Sequence, residues 1–148
     1  MIIKNSIVAV GSDHAGFQLK ERIKAWLETN DYRVKDFGTY SEDSVDYPDY
    51  VHPLAEYIES GESPVGIVIC GSGNGVNMTV NKHQKIRSAL CWEPELAKMA
   101  RLHNDANVLA LSARYVNDEV SMKCVEEFMN TNFEGGRHER RVNKISCS

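Results

Sequence analysis

The sequence predicts a three-layer α/β/α fold built around a five-stranded, mostly parallel sheet. Two observations lead to this prediction: short β-rich runs alternate with segments of helical periodicity, and most of the runs are apolar throughout. Strands that are apolar on both faces are typical of a parallel sheet covered by helices on both sides. The 148 residues contain no linker, low-complexity stretch or internal repeat, so we expect a single domain over residues 1–148.

The first half of the chain predicts three strands and two helices. Ser6–Val10 is a short apolar strand, and helical spacing follows it to about Glu28. Arg33–Phe37 alternates between apolar and polar residues and predicts a second strand. A loop at residues 39–48 separates it from an amphipathic helix, after which Val65–Ile69 forms the most apolar strand.

The second half predicts two more strands with their helices, which completes a Rossmann-like arrangement. Arg87–Trp92 and Asn107–Ser112 are the strands. Pro94 opens the helix after the first of them, because proline fits the first helical turn. Asn117 or Asp118 caps the helix after the second. The basic stretch GGRHERRVNKI at the end is predicted to be helical.

Composition and charge exclude several classes of function. The chain is 42% hydrophobic and 26% charged, as is usual for a globular protein, and its net charge is −4. A chain with this negative net charge is therefore not expected to bind nucleic acid through attraction to the phosphate backbone. The N-terminal apolar run is too short for a membrane span and lacks a signal-cleavage pattern. We therefore expect a cytoplasmic protein without a membrane partner.

The four cysteines lie far apart in sequence, and none forms a CxxC pair, so a disulfide framework is not expected. Cys91 and Cys124 fall in apolar patterns typical of small core residues. Cys147 lies in the tail and has no predicted role. Cys70 differs from these because it ends a strand immediately before a glycine-rich turn.

Ligands of open parallel sheets bind beyond the carboxyl ends of the strands. Here these ends are residues 11–16, residues 70–75 and the loop after Ser112. The first, GSDHAG, presents Asp13 and His14 to substrate hydroxyls or a phosphate. An alternative role for Asp13, compatible with the first, is to cap the helix that follows.

The second segment, CGSGNG, can bring backbone N–H groups close to a ligand at Gly71, Gly73 and Gly75. The same donors would stabilise a Cys70 thiolate. A dinucleotide site is disfavoured, because its glycine motif follows the first strand and here the motif follows the third. The remaining alternative is a buried cysteine that only happens to end a strand.

The third candidate is an anion site formed by Arg114, Arg137 and Arg141, with His138 beside them. The forked donors of guanidinium groups match phosphate oxygens. The alternative is a solvated basic helix face. His103, at the end of a helix before the fifth strand, is either catalytic or structural.

The remaining histidines, His52 and His83, are interpreted as surface residues, and Pro53 indicates a turn beside the first. The sequence contains no HExxH or comparable cluster of ligands. We therefore assign no metal and no cofactor.

Taken together, these segments resemble the type B ribose-5-phosphate isomerases, which are related to the galactose-6-phosphate isomerase subunits. The resemblance runs in the same order through nearly the whole chain. Its segments are GSDHAG (11–16), DYP (46–48), ICGSGNG (69–75), NK (81–82), RLHNDANVL (101–109), SAR (112–114) and GGRHERRV (135–142).

The resemblance implies a metal-free aldose–ketose isomerase that acts on a sugar phosphate. It also implies a homodimer or a dimer of dimers, with active sites shared between subunits. The residues expected from one protomer are Asp13, His14, Tyr47, Cys70 and Ser72, and those expected from its partner are His103, Asn104, Arg114, Arg137 and Arg141. Substrate binding is also expected at Gly71, Gly73, Asn74 and Gly75, with His14 or His138 assisting at the phosphate.

One branch of this family uses a glutamate immediately after the glycine-rich loop as its base. This chain has Val76 there and keeps Cys70, so the resemblance assigns the base to Cys70. It assigns ring opening to His103 with help from Asp13. Ser72 stands where many relatives have threonine, and it retains the hydroxyl.

Two other functions stay open from the sequence. One is the same chemistry on a hexose 6-phosphate, such as allose or galactose 6-phosphate, for which loop 39–48 would set the pocket length. The other is a non-catalytic nucleotide-binding module of similar fold. The position of the glycine-rich loop counts against the second.

Overall fold

Five strands and six helices make up the structure, a computed structural model that describes residues 1–147. In chain order they are β1 (Ile7–Ser12), α1 (Phe17–Thr29), β2 (Arg33–Asp36), α2 (Pro48–Glu59), β3 (Val65–Cys70), α3 (Asn74–Val80), β4 (Ser88–Leu90), α4 (Pro94–Asn104), β5 (Val108–Ser112), α5 (Asp118–Asn130) and α6 (Arg137–Val142). None of the helices in this range is long and apolar enough to cross a membrane.

The strands form one sheet in the order β2-β1-β3-β5-β4, and every neighbouring pair is parallel. The predicted α/β fold with a five-stranded sheet is therefore confirmed. The chain winds from β1 outwards to β2 and then returns to place β3 on the other side of β1. This reversal opens a crevice between the loops that follow β1 and β3, where open α/β sheets bind ligands.

Two apolar cores cover the two faces of the sheet. Helices α1, α4 and α5 pack on one face and α2 and α3 on the other. Side chains of β1 alternate between them, with Val8 and Val10 in the first core and Ala9 in the second. All six residues of β3 are buried, as its unbroken apolar sequence predicts.

Strand boundaries differ from the predictions by one or two residues at several ends. The predicted strand Ser6–Val10 extends to Ser12, and beyond it the Asp13 N–H still donates to the Ile69 carbonyl (3.3 Å). Strand β4 is shorter than predicted. At the start of this edge strand, the Asn81 side-chain oxygen accepts a hydrogen bond from the Ser88 N–H (2.8 Å), and its amide nitrogen donates one to the Ser88 carbonyl (3.0 Å).

Pro53 lies inside α2, so the predicted turn at this position is wrong. An interior proline costs roughly 3 kcal/mol because it removes one helical hydrogen bond. Four side chains of α2 at helical spacing, Val51, Leu54, Ala55 and Ile58, are buried against the sheet. Burial of this apolar face offsets the missing bond and keeps the segment helical.

Candidate functional site

The loop after β1 lies directly against β3. A Cβ atom added at Gly16 would lie 2.7 Å from Ile69 Cγ2 and 2.8 Å from the Ile69 carbonyl oxygen. Real Cβ atoms do not approach other atoms this closely, so glycine is required for the two loops to meet. The GSDHAG and CGSGNG segments therefore line the same crevice.

Asp13 and His14 are both fixed at this crevice by backbone N–H groups. Asp13 is buried, and its Oδ1 accepts from the Gly16 N–H (3.1 Å). The N-cap residue of α1 is Gly16, so Asp13 does not cap this helix. Asp13 instead stabilises the turn that precedes it. His14 Nδ1 accepts from the Val45 N–H (3.2 Å). A neutral His14 must then carry its proton on Nε2 and can donate it to a ligand.

Cys70 ends β3 and is almost fully buried, with 4% of its surface exposed. Its Sγ accepts from the Gly73 N–H at 3.2 Å. This donor interacts more favourably with a thiolate than with a thiol. Val76, where one branch of the similar enzymes carries glutamate, is fully buried in the apolar core and offers no group for proton transfer.

The glycine-rich turn is fixed by neighbouring loops as well as by its own backbone. Gly73 has a φ of +82°, which favours glycine, and the Ser72 hydroxyl accepts from the Asn74 N–H at 3.2 Å. The Tyr47 ring packs over Gly75, where an added Cβ would lie 2.7 Å from the Tyr47 hydroxyl oxygen. The structure therefore brings Tyr47 to this turn, as predicted for residues of one protomer.

Arg114 also belongs to this turn, which corrects one expectation. Its backbone N–H donates to the Gly71 carbonyl (3.0 Å), and its guanidinium Nη1 would lie 3.2 Å from a Cβ at Gly71. The Ser112 hydroxyl donates to the same carbonyl (2.7 Å). Because β3 and β5 are neighbours, Arg114 lies beside Cys70 of its own chain, and its assignment to the partner subunit is wrong.

A second cluster forms where α4 ends and α6 begins. The imidazole rings of His103 and His138 stack with their centroids 4.3 Å apart. Both Nε2 atoms face one carboxylate oxygen of Glu134, at 3.6 and 3.7 Å. These three side chains bring metal-ligating atoms within 4.8 Å of one another. Burial lowers the pKa of His138, as do the nearby His103, Arg137 and Arg141, and Glu134 opposes them.

Arg137 and Arg141 stand one turn apart on α6 and are exposed, and Asn104 is exposed at the end of α4. Within residues 1–147, no ion pair involves Arg114, Arg137 or Arg141. Their guanidinium groups therefore keep their donors available for an anion.

The two clusters lie at opposite edges of the sheet. Helix α4 starts after β4 and returns to the amino end of β5, so His103 precedes β5 whereas Ser112, beside Cys70, ends it. The five residues of β5 span roughly 15 Å at about 3.3 Å per residue. One chain thus presents two separated groups of candidate site residues. We call the group around Cys70, with Asp13, His14, Tyr47 and Arg114, the Cys70 half-site. We call the group around His103, with Asn104, Glu134, Arg137, His138 and Arg141, the His103 half-site.

Sequence reasoning missed two features of these half-sites. Glu134 was not predicted, because its contacts with His103 and its N–H bond to the Leu102 carbonyl (2.9 Å) join distant parts of the chain. The Val45 N–H at His14 was missed for the same reason. The one sequence feature that could have indicated Glu134 is its position four residues before His138.

A further pair of histidines lies apart from both half-sites. His52 Nδ1 lies 2.8 Å from His83 Nε2, and His83 Nδ1 lies 2.9 Å from Glu59 Oε1. His52 is exposed as predicted, whereas His83 is half-buried.

Comparison with known proteins identifies the family. A family model described as Ribose/Galactose Isomerase matches residues 8–145. The ribose-5-phosphate isomerase B of Escherichia coli is 42% identical over 140 residues, which cover 95% of this chain and 94% of that protein.

Solved structures agree with this match. A ribose 5-phosphate isomerase from Thermotoga maritima superposes with a TM-score of 0.92 at 46% identity, covering 95% of this chain and 97% of the other. The ribose-5-phosphate isomerase B of Mycoplasma genitalium, solved with bound ribulose-5-phosphate, gives a TM-score of 0.91 at 40% identity, covering 97% and 95%. The chain therefore belongs to the ribose/galactose isomerase family.

Proposed function

We propose that this chain is a cytoplasmic isomerase that interconverts ribose 5-phosphate and ribulose 5-phosphate, with Cys70 as the base. The observation that carries the proposal is the Cys70 sulfur at the carboxyl end of β3, which accepts the Gly73 N–H at 3.2 Å. The names of the relatives support the substrate: the Mycoplasma genitalium protein, 40% identical, binds ribulose-5-phosphate. The match of these isomerases over nearly the full chain also disfavours the nucleotide-binding alternative.

The chemical step needs a base and a stabilised oxyanion. The Cys70 thiolate removes the C2 proton of the open-chain aldose, giving an enediolate. The proton on O2 moves to O1, and the Cys70 thiol returns its proton to C1, so the atoms balance. Among the backbone N–H groups of residues 71–75, those of Gly73 and Asn74 already donate to Cys70 Sγ and Ser72 Oγ. The remaining N–H groups of this turn and the Ser72 hydroxyl would stabilise the developing negative charge.

The sugar enters as a ring and must open first. We assign the proton transfer for ring opening to His103, assisted by Asp13. His103 keeps 39% of its side chain exposed, so it can reach a ligand. Asn104, exposed beside it, would bind a sugar hydroxyl.

Charge complementarity supports a phosphate site formed by Arg114, Arg137 and Arg141. All three are exposed and keep their forked donors available. His14 would assist through its Nε2–H, and His138 lies beside Arg137 on α6.

Completing one site requires two chains. His103 and Cys70 of one protomer are separated by the length of β5, roughly 15 Å, which is too far for both to act on one pentose. We therefore infer a homodimer, or a dimer of dimers, in which the His103 half-site of one protomer meets the Cys70 half-site of its partner.

The test is turnover of ribose 5-phosphate by the wild type and Cys70→Ala in EDTA. Loss of the general base should reduce kcat by about 10²–10⁴-fold. Cys147→Ala, which removes an exposed thiol from the tail, is the matched control and should keep full activity. Unchanged turnover in Cys70→Ala would exclude Cys70 as the base.

A hexose 6-phosphate is the second candidate substrate, because the matching family model covers galactose as well as ribose isomerases. Allose 6-phosphate and galactose 6-phosphate are therefore assayed beside the pentose. Turnover of a hexose alone would keep the mechanism and replace the substrate.

A further inference from the structure

The cluster of His103, Glu134 and His138 has an arrangement that hydrogen bonding does not explain. Both imidazole Nε2 atoms lie near the same Glu134 oxygen, Oε2, at 3.6 and 3.7 Å. These distances are too long for hydrogen bonds, which rarely exceed about 3.2 Å between nitrogen and oxygen. Two nitrogen ligands and one oxygen ligand therefore converge without bonding to one another.

The same distances are close to those around one transition-metal ion. Zinc binds histidine nitrogen and carboxylate oxygen at about 2.0–2.2 Å, and tetrahedral angles then separate two ligand atoms by about 3.4 Å. The observed 3.6 and 3.7 Å exceed this by only a few tenths of an ångström. The rings are stacked at 14° with their centroids 4.3 Å apart, so both must rotate out of the stack to direct their in-plane lone pairs at a shared ion, which the soft χ2 torsion of histidine allows.

His138 supplies an independent observation. Its side chain is 9% exposed, and its Nε2 is buried without a hydrogen-bond partner in the structure. A buried polar atom without a hydrogen-bond partner destabilises the fold. A metal ion bound to this nitrogen would satisfy it.

The backbone fixes the relative positions of the ligands. The Glu134 N–H donates to the carbonyl of Leu102, the residue before His103, at 2.9 Å. His138 follows Glu134 by four residues, at the start of α6. The Glu134 carboxylate is 53% exposed and can move to complete a coordination shell.

We propose that His103, Glu134 and His138 form a binding site for a divalent transition-metal ion such as Zn²⁺, which inhibits the enzyme when bound. Three protein ligands leave a fourth position for water. Inhibition follows because the ion occupies the His103 nitrogen needed for ring opening, and this second part rests on the proposed function. Metal binding itself does not.

The surrounding charge makes the site reversible. Arg137 and Arg141 act on His138 electrostatically and repel a dication, and Glu134 supplies one compensating charge. The site should therefore take up the ion when free Zn²⁺ rises and release it to a chelator. A closed structural site with four protein ligands would not do so.

Calorimetric titration of Zn²⁺ into the chelator-free protein tests binding directly. Glu134→Gln keeps the size of the side chain and removes the anionic ligand, so it should weaken Zn²⁺ binding more than about tenfold, as changes even beyond the ligand shell do. His138→Asn should do the same. Glu59→Gln is the matched control, because it alters the His52–His83–Glu59 cluster and should leave this binding event unchanged. Equal Zn²⁺ affinity in the wild type, Glu134→Gln and His138→Asn would overturn the proposal.

An activity assay tests the inhibitory role. Wild-type turnover should fall over the same Zn²⁺ range as the calorimetric binding and return on adding EDTA. Glu134→Gln should require more than about tenfold higher Zn²⁺ for the same fractional inhibition. Binding without loss of turnover would refute the inhibition. Binding by a protein inactive even in EDTA would support the metal site and count against the proposed function.

Discussion

At the residue scale, a thiol at the end of β3 and a valine after the glycine-rich turn form a consistent pair. Val76, on α3, is fully buried in the core shared with α2, whereas Cys70 Sγ accepts a hydrogen bond from the Gly73 N–H of the turn. An ionisable side chain at position 76 would have to displace this core packing. This packing is consistent with the proposal that Cys70, at the end of the strand, is the proton-transfer group.

The phosphate assignment gives a prediction at the same scale. Arg137→Met should raise KM for ribose 5-phosphate and change kcat less, because it removes one bidentate charge-assisted contact, worth about 1.5–3 kcal/mol or roughly 10–100-fold in binding. Arg140→Met is the control, since Arg140 is equally cationic and exposed on the same helix but lies outside the predicted set. Steady-state kinetics measure both. An unchanged KM in Arg137→Met would contradict the phosphate assignment.

Local sequence could predict some of these residues and not others. Cys70 and Gly73 are three positions apart, so the strand pattern and the turn motif together indicated their contact. The partner of His14 is the Val45 N–H, 31 positions away on an irregular loop. No periodicity relates these two positions, and tertiary packing alone brings them together.

At the element scale, a buried ion pair joins α1 to the end of β2. Lys20 is fully buried and donates to both Asp36 oxygens at 2.9 and 2.7 Å. Asp36 also accepts from Lys24 and from the Gly38 N–H. Burial raises the pKa of Asp36, but these hydrogen bonds outweigh it, and the net pKa is lowered from 3.8.

The lowered pKa predicts how stability depends on pH. A carboxylate with a depressed folded pKa stabilises the protein fully above its unfolded pKa of about 3.9, and this contribution is lost as pH falls through the folded pKa. Asp36→Asn should therefore lower the free energy of unfolding at pH 7 by about 3 kcal/mol, because it leaves Lys20 charged and buried. Denaturant unfolding should show the gap to wild type narrowing below about pH 3.9.

Glu21→Gln is the matched control for this prediction. Glu21 also contacts Lys20, at 3.2 Å, but its side chain is 41% exposed. Its loss should cost less than about 1 kcal/mol. A gap between wild type and Asp36→Asn that stays constant down to pH 2 would show that the charge of Asp36 does not stabilise the fold.

Element types were more predictable than element ends. Apolar periodicity correctly indicated α2 despite Pro53, because burial of the helix face outweighs one lost hydrogen bond. The predicted strand Arg87–Trp92 extends beyond the observed β4 at both ends, and the amide of Asn81, seven residues away, hydrogen-bonds to the backbone of Ser88 at its start. The pattern of apolar residues in a sequence does not reveal hydrogen bonds of this kind between a side chain and the backbone of a strand.

At the scale of the whole molecule, parallel topology separates the residues to which we assign the proposed catalysis. Every strand runs the same way, so residues that follow strands gather at one edge and residues that precede them at the other. Cys70 and Arg114 belong to the first edge and His103 to the second. The sequence order of these residues therefore already implies two half-sites in one chain, although it does not give the geometry of their assembly.

Shared sites predict complementation between two inactive variants. Cys70→Ala disables one half-site and His103→Asn the other, so each homodimer should be inactive. A mixed dimer has one site with both defects and one site with none. Random reassembly makes half of the dimers mixed, so about a quarter of the wild-type sites should recover. Co-refolding equal amounts and assaying ribose 5-phosphate measures this recovery, with each variant refolded alone as the control. If the mixture were no more active than the separate variants while circular dichroism showed both folded, each site would lie within one chain and the inferred assembly would be wrong.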